Sequence, residues 1–243
     1  MRFFDPHIHM TSRTTNDLEA MAQAGVRAII EPAFWLGQAR TQKGTFIDYF
    51  NSLLGWERFR SSQFGIAHYC AIGLNSKEAN NERLAAEVLE LVPRFALKEG
   101  VVAIGECGLD FAREGGDRTV QEAALRHQLR LARALEVPLA LHCRKAWESL
   151  GRLVREEGLP ASGALLHAFS GSAETALEMQ RLGFSLSFGC PIADPENRRA
   201  AKVLPEVWPD RLLFESDAPD LPPRHLESWP PDAPNEPAQL AGV

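Results

Sequence analysis

A helix that ends in glycine and runs at once into a short apolar stretch is the feature that most constrains this chain, because the unit recurs. Ala22-Gln23-Ala24-Gly25 leads into Val26-Arg27-Ala28-Ile29-Ile30, Lys98-Glu99-Gly100 into Val101-Val102-Ala103-Ile104, and Arg181-Leu182-Gly183 into Phe184-Ser185-Leu186-Ser187-Phe188. Glycine just past a helix supplies the left-handed cap, and a brief apolar run suits a strand buried on both faces, as in parallel sheets covered by crossover helices. Along the whole chain the pattern predicts strands near 2–7, 26–31, 65–73, 101–106, 137–142, 163–167, 184–188 and 211–215. Helices are predicted at 16–24, within 34–62, and at 79–98, 119–135, 145–157, 172–182 and 196–204. Asn16 with Glu19 and Thr119 with Glu122 read as capping boxes at two helix starts. Strands that alternate with helices in this way predict an α/β fold, a (β/α)8 barrel of the TIM type. At 243 residues, 45% hydrophobic and 24% charged, the chain suits a single barrel domain over 1–243.

The unit fails twice. Residues 32–63 form an oversized, aromatic-rich connection, expected to be a loop and helix over the barrel mouth. After the eighth strand the tail from Leu221 is rich in proline and has no amphipathic period, so the last helix is expected to be missing and strands 1 and 8 to need other cover.

The cysteines, Cys70, Cys107, Cys143 and Cys190, lie far apart and are expected to be reduced and mostly buried. No stretch is apolar enough for a membrane span, and the chain opens on Met-Arg-Phe-Phe-Asp rather than on a signal segment, so a cytoplasmic location is expected. A net charge of −6 argues against a broad non-specific nucleic-acid surface, though a local cationic pocket is compatible with it.

Polar residues gather where apolar strands end. His7 and His9 sit two apart at the end of strand 1, where alternation sends both to one face. Glu106, His142 and His167 each close an apolar run, and Asp217 follows Leu212-Leu213-Phe214-Glu215-Ser216. Barrel enzymes put their chemistry at these strand ends, and an apolar strand gains nothing from a polar tip. Six ligands of mixed nitrogen and oxygen type, without thiolate, exceed a closed structural zinc site and suit two divalent ions, Zn, Mg or Mn. On this reading His7, His9 and Asp217 hold one ion, His142 and His167 the other, and Glu106 bridges. Such a pair activates water for hydrolysis. Asp217 is the candidate to relay the water's proton, with Glu106 the second catalytic carboxylate.

These residues lie in motifs that resemble those of the TatD-type metal-dependent hydrolases, a branch of the amidohydrolase-like barrels. The motifs are Phe4-Asp5-Pro6-His7-Ile8-His9, Ile104-Gly105-Glu106-Cys107-Gly108-Leu109-Asp110, Leu141-His142-Cys143-Arg144-Lys145-Ala146, Leu166-His167-Ala168-Phe169-Ser170-Gly171 and Phe214-Glu215-Ser216-Asp217-Ala218-Pro219. The similarity runs over most of 101–237 and includes Asn235-Glu236-Pro237. It implies the same ligand set and phosphodiester hydrolysis, usually metal-dependent DNase or 3′→5′ exonuclease activity; some relatives are linked to deacylation of aminoacyl-tRNA or to small substrates. The chain departs from the family in two places. Where the family carries Gly-x-His-Pro after strand 3, this chain reads Gly73-Leu74-Asn75-Ser76, and Asn75 can donate a hydrogen bond but cannot shuttle a proton. The stretch Glu31-Pro32-Ala33-Phe34-Trp35-Leu36-Gly37-Gln38 is similar to a less-characterised branch of barrel hydrolases with an enlarged segment after strand 2.

Arg144, Lys145, Asn75, Asp110 and Arg224 are the candidate substrate contacts, with the cations suited to a phosphate and Asp110 also able to orient a ligand. Glu215 is placed to hydrogen-bond one of the histidines. Cys107, Cys143, His68 and His127 are read as structural. Phe34, Trp35, Phe46, Tyr49, Phe50, Trp56 and Phe59 are read as packing the insertion on the barrel, with stacking on nucleic-acid bases the sharper alternative. Three functions remain open: a phosphodiesterase acting on single-stranded DNA ends, a hydrolase of a small ester, lactone, amide or phosphate, and a non-catalytic barrel that has kept its metals.

Overall fold

A computed structural model describes residues 1–11, 13–34, 40–112 and 116–243. Eight strands, β1 (Phe3–Asp5), β2 (Val26–Pro32), β3 (Ala67–Ala71), β4 (Val101–Asp110), β5 (Leu139–Arg144), β6 (Ala164–Leu166), β7 (Phe184–Phe188) and β8 (Leu212–Phe214), pair in chain order into one parallel sheet. The helices between them are α1 (Thr15–Ala24), α2 (Lys43–Ser52), α3 (Arg58–Ser62), α4 (Glu82–Leu89), α5 (Val92–Ala96), α6 (Arg118–Leu135), α7 (Trp147–Glu157), α8 (Ala173–Arg181) and α9 (Arg198–Val203). The result is a nearly closed barrel. β1 and β8 are short, and their seam closes just beyond them, where Asp217 N donates to His7 O (3.1 Å) and His9 N to Ala218 O (2.9 Å). The largest apolar cluster fills the space between β4–β7 and α6–α8, with Leu125, Leu129, Leu141, Leu150, Met179 and Phe184 at its heart. No helix among the described residues is long and apolar enough to cross a membrane.

Several boundaries differ from the sequence expectation. The cap of α1 is Thr14, not Asn16: its backbone N and hydroxyl both donate to Asp17 (2.7 and 2.9 Å), which places the box two residues earlier. The cap of α6 is Asp117, not Thr119, because the Asp117 carboxylate accepts from Thr119 N and Val120 N. The helix expected over 79–98 is two, α4 and α5, since Pro93 has no N–H to continue the first. Gly25 does close α1 at φ 101°, against the carbonyl of Met1, where a Cβ would come within 2.5 Å.

The oversized connection holds α2, one π-helical turn at Leu53–Glu57, and α3. Phe46, Tyr49, Phe50 and Leu53 pack against Ile72, Leu74, Leu84 and Val88, as the packing reading requires. Trp56 and Phe59 instead lie exposed, their rings 5.9 Å apart, while Trp35 lies outside the described residues. An ion pair anchors the segment to the barrel. The Arg40 guanidinium sits 3.8 Å over the Phe46 ring and meets both oxygens of Glu78 (2.7 and 2.6 Å), with both side chains nearly fully buried.

In place of an eighth helix, a 3-10 turn at Pro237–Gly242 packs on α1 and β1. Leu240 joins Ile8, Met10, Leu18 and Met21, whereas Phe214 on β8 stays 41% exposed. Asn235 ties the tail down from full burial, its side-chain amide donating to Ser216 O (2.6 Å) and its backbone N to Pro219 O (2.8 Å).

Removing one partner of a buried bidentate pair leaves an uncompensated charge at a cost of about 3–5 kcal/mol. Glu78→Ala is therefore expected to lower the unfolding free energy by about that amount, read from urea midpoints, and a change below about 1 kcal/mol would mean that the pair does not anchor the segment.

Candidate metal centre

The cluster at the barrel mouth is built by five strand ends. Past β1, Ile8 points outward into the α1 cluster, so its neighbours His7 and His9 face inward, with ring centroids 5.2 Å apart at 80°. In β4, three residues from Ile104 to Cys107 span the two from Leu139 to Leu141 of β5, a bulge that re-aims Glu106 into the centre. Gly105 (φ 157°) and Gly108 (φ 134°) flank it, and a Cβ on either would strike the β5 backbone at Ala140 or His142, so β4 passes β5 too closely for any other residue. His142 lies near the end of β5, His167 follows β6, and Asp217 follows β8 at φ 50°.

These six side chains form two groups around one carboxylate. His7 Nε2 and His9 Nε2 stand 3.6 and 3.7 Å from Asp217 Oδ1. His142 Nδ1 and His167 Nε2 stand 3.5 and 3.2 Å from Glu106 Oε1, while the other oxygen, Glu106 Oε2, faces His7 Nε2 at 3.7 Å. The His7 and His167 rings stack at 3.7 Å. In each group, His7–His9–Asp217 and Glu106–His142–His167, the donor atoms lie within 4.8 Å of one another. Donors about 2.1 Å from a tetrahedral ion are about 3.4 Å apart, so the spacing fits a divalent cation in each.

The unpartnered atoms support the fit. Both ring nitrogens of His7, Nδ1 of His9, Nδ1 of His167 and Glu106 Oε2 are buried without a hydrogen bond, a concentration that ordinary packing does not tolerate. Electrostatics agree with this. Burial by itself would raise Glu106, but the imidazoles of His167, His7 and His142 outweigh it and hold the carboxylate far below its usual range. Burial pushes His7 and His9 down, keeping free lone pairs for a metal. His167 moves up despite its burial because of Glu106, and burial drives Asp217 up.

A surrounding layer holds these groups. Asp110 Oδ2 approaches His142 Nε2 at 3.4 Å. Glu215 accepts from Ala168 N (2.6 Å) and the Ser187 hydroxyl; it lies 3.8 Å from His167 Nδ1, too far for the expected hydrogen bond, so it fixes the loop that carries His167 rather than the ring. Asp5, pushed up to about 7 by burial, accepts from His7 N (3.2 Å) and the Ser216 hydroxyl (2.6 Å), joining the two sides of the seam. Glu31, which the sequence reading passed over, accepts from Thr11 N and hydroxyl (2.7 and 2.8 Å) and from His68 Nε2 (2.9 Å), pinning the loop beyond His9. Its signal was a carboxylate inside an otherwise apolar strand. Cys107 and Cys143 are buried in the core.

Over the cluster opens a pocket of about 390 Å3, lined among others by Phe34, Asn75, Lys77, Asp110, Arg144 and Asp220. Of the expected substrate contacts, Asn75, Asp110 and Arg144 are brought here. Lys145 and Arg224 do not line it, and the Arg224 guanidinium is bound to Pro231 O. Lys77 takes their place, its backbone N held by Asn75 Oδ1 (2.8 Å) and its ammonium 5.5 Å from the Phe34 ring, which in turn meets His9 edge-on at 5.9 Å. Lys77 was visible as the first cation after Asn75 in the loop beyond β3.

The sequence profile described as TatD related DNase matches residues 4–243. A Bacillus subtilis protein, the uncharacterized metal-dependent hydrolase YabD, is 37% identical over 155 residues, 64% of this chain and 60% of that protein. The 3′-5′ ssDNA/RNA exonuclease TatD of Klebsiella pneumoniae is 40% identical over 157 residues, again 64% of this chain and 60% of its own length. The chain thus spans about 60% of the length of these curated relatives. Among solved structures, the TatD homolog YJJV from Escherichia coli superposes with a TM-score of 0.79 at 28% identity, covering 99% of this chain and 87% of that one.

Titration calorimetry with Zn2+ or Mn2+ tests the centre. Glu106→Ala is expected to abolish tight binding, and Asp110→Ala, which touches His142 alone among the six, to weaken it about 10–100-fold. Isotherms that both variants share with the parent chain would remove the assignment.

Proposed function

Because this chain belongs to the TatD related DNase family, we propose that it is a metal-dependent phosphodiesterase that removes nucleotides from the 3′ end of single-stranded nucleic acid, with His7, His9, Glu106, His142, His167 and Asp217 as the ligands of two divalent ions. The observation that carries this reading is the sharing of Glu106: its two oxygens face separate donor groups at the floor of an open pocket whose rim bears cations. Bound there, two ions such as Zn, Mg or Mn would acidify water and polarise a phosphoryl oxygen.

The chain's own residues supply the rest. Glu106 and the four imidazoles hold a concentrated, preorganised charge in a site closed to bulk water from below, where electrostatic interactions are strong. Asp217 is the proton acceptor: burial raises its affinity for a proton, and its Oδ1 stands 3.6 and 3.7 Å from His7 and His9, beside the donor group at the pocket floor. Arg144 and Lys77 hold phosphate oxygens at the rim, Arg144 with the bidentate fork. Asn75 is buried with its oxygen committed to Lys77 N, so its role is to shape that loop and not to move a proton. On this reading a single strand is the substrate because its terminal phosphodiester reaches the pocket without any base pair having to open.

The Phe34–Lys77 contact favours a second reading. It narrows the pocket beside His9, and a small ester or phosphate would fill what remains.

A 5′-labelled single-stranded oligonucleotide incubated with Mg2+ or Mn2+ is expected to shorten progressively from its 3′ end. Asp217→Asn is expected to slow cleavage by about 10^2–10^4-fold and Lys77→Ala to raise KM more than it lowers kcat. Intact DNA alongside rapid turnover of p-nitrophenyl phosphate esters would select the small-molecule reading; inertness toward both would reject hydrolysis altogether.

A further inference from the structure

A second pocket, of about 400 Å3, adjoins the metal pocket and shares Ala168, Ser170 and Leu221 with it as a common wall. Its chemistry differs from its neighbour's. The floor is apolar and rigid: the Phe169 ring is wedged between Trp147 and Phe188, with centroids at 5.1 and 5.8 Å, and Ile192 and Val203 complete it. The rim is cationic, with Arg198 and Arg199 of α9 against one carboxylate, Glu196, in a chain whose net charge is −6. Arg199 donates to Ser170 O (2.8 Å), which ties α9 to the shared wall and holds the Arg199 guanidinium beside the metal pocket. Two residues of that wall, Ala168 (φ 46°) and Leu221 (φ 53°), adopt the left-handed conformation, which non-glycine residues hold only where the surrounding structure imposes it.

A flat apolar recess beside guanidinium groups matches a ring that carries a phosphate, and every nucleobase has such a face. An unstacked base of a single strand offers such a face freely. We propose that this pocket is a nucleotide subsite, which takes the base next to the phosphodiester held in the metal pocket of a single-stranded nucleic acid while Arg198 and Arg199 meet the adjoining phosphate. The proposal rests on the nuclease reading and adds to it where the strand runs: across Ser170 toward α9, with Lys77 and Arg144 at the other end of the same track.

The test is fluorescence anisotropy of an oligothymidylate of about ten nucleotides, made with phosphorothioate linkages so that it is bound but cleaved slowly, on the Mn2+-loaded protein over a range of salt. Arg198→Ala is expected to weaken binding about tenfold and to lower the salt slope by about one. Ile192→Trp, which fills the recess without touching a charge, is expected to weaken binding at unchanged slope. Lys202→Ala removes a charge from α9 outside the pocket lining and is expected to leave both unchanged; melting temperatures confirm that each variant is folded. If the parent chain binds and cuts the unmodified strand but Arg198→Ala and Ile192→Trp bind as it does, or if Lys202→Ala weakens binding as much as Arg198→Ala, the subsite is wrong and the nuclease reading stands. If the parent chain neither binds nor cuts a single strand, both are wrong.

Discussion

Glu106 carries a negative charge at 2% exposure, and the architecture of the mouth follows from having to keep it there. A lone carboxylate so deeply buried would be neutralised by a proton. Here His7, His142 and His167 surround it from three strand ends and hold it ionised, and each of those imidazoles needs in turn a carboxylate or a cation to justify its own burial. The cluster cannot be satisfied by its own members, as the unpartnered atoms of His7, His9, His167 and Glu106 attest. A divalent cation in either donor group would supply the missing partners.

That requirement reaches into the fold. Strands as far apart in sheet order as β1 and β6 must end within a few ångströms of one another, which a closed parallel barrel achieves and an open sheet does not. The seam between β1 and β8 is the weakest part of the ring, and it is there that polar stitches accumulate: Asp217 to His7, His9 to Ala218, Asp5 to Ser216, Asn235 to Ser216. The segments that carry His7, His9 and Asp217 are thus also the closing segments. The short tail turn at Pro237–Gly242 covers α1 and the β1 side, and the Asn235 side chain does for the β8 side part of what a helix would do.

The enlarged connection after β2 alters the other rim. Its anchor, Arg40 with Glu78, is remote in sequence and nearly dry, and it sets α2 against α4, while Phe34 at the head of the same connection brings an aromatic edge to His9. Lys77, next to Glu78 in the chain, is carried to the pocket by the same loop. The anchor and a pocket-lining cation are therefore neighbours, and Phe34 of the same segment lines the pocket without contributing to the six donor groups.

The alternation of glycine-ended helices with apolar runs determined the barrel, and polar residues at the ends of those runs determined the candidate ligands, because burial leaves little freedom over which residue types can occupy a strand or its tip. Phe46, Tyr49 and Phe50 were legible as packing for the same reason. Tertiary structure decided what depends on distance between strands: that the oxygens of Glu106 face different imidazoles, that Glu215 serves a loop and not a ring, and that Lys77 reaches the pocket while Lys145 and Arg224 do not. It also decided the caps at Thr14 and Asp117 and the break at Pro93, where several residues offer similar local signals and only the direction of the incoming chain selects one. Composition and periodicity encode which side of an element is buried; which other element it is buried against is set by closure of the ring, and the site exists only once the ring has closed.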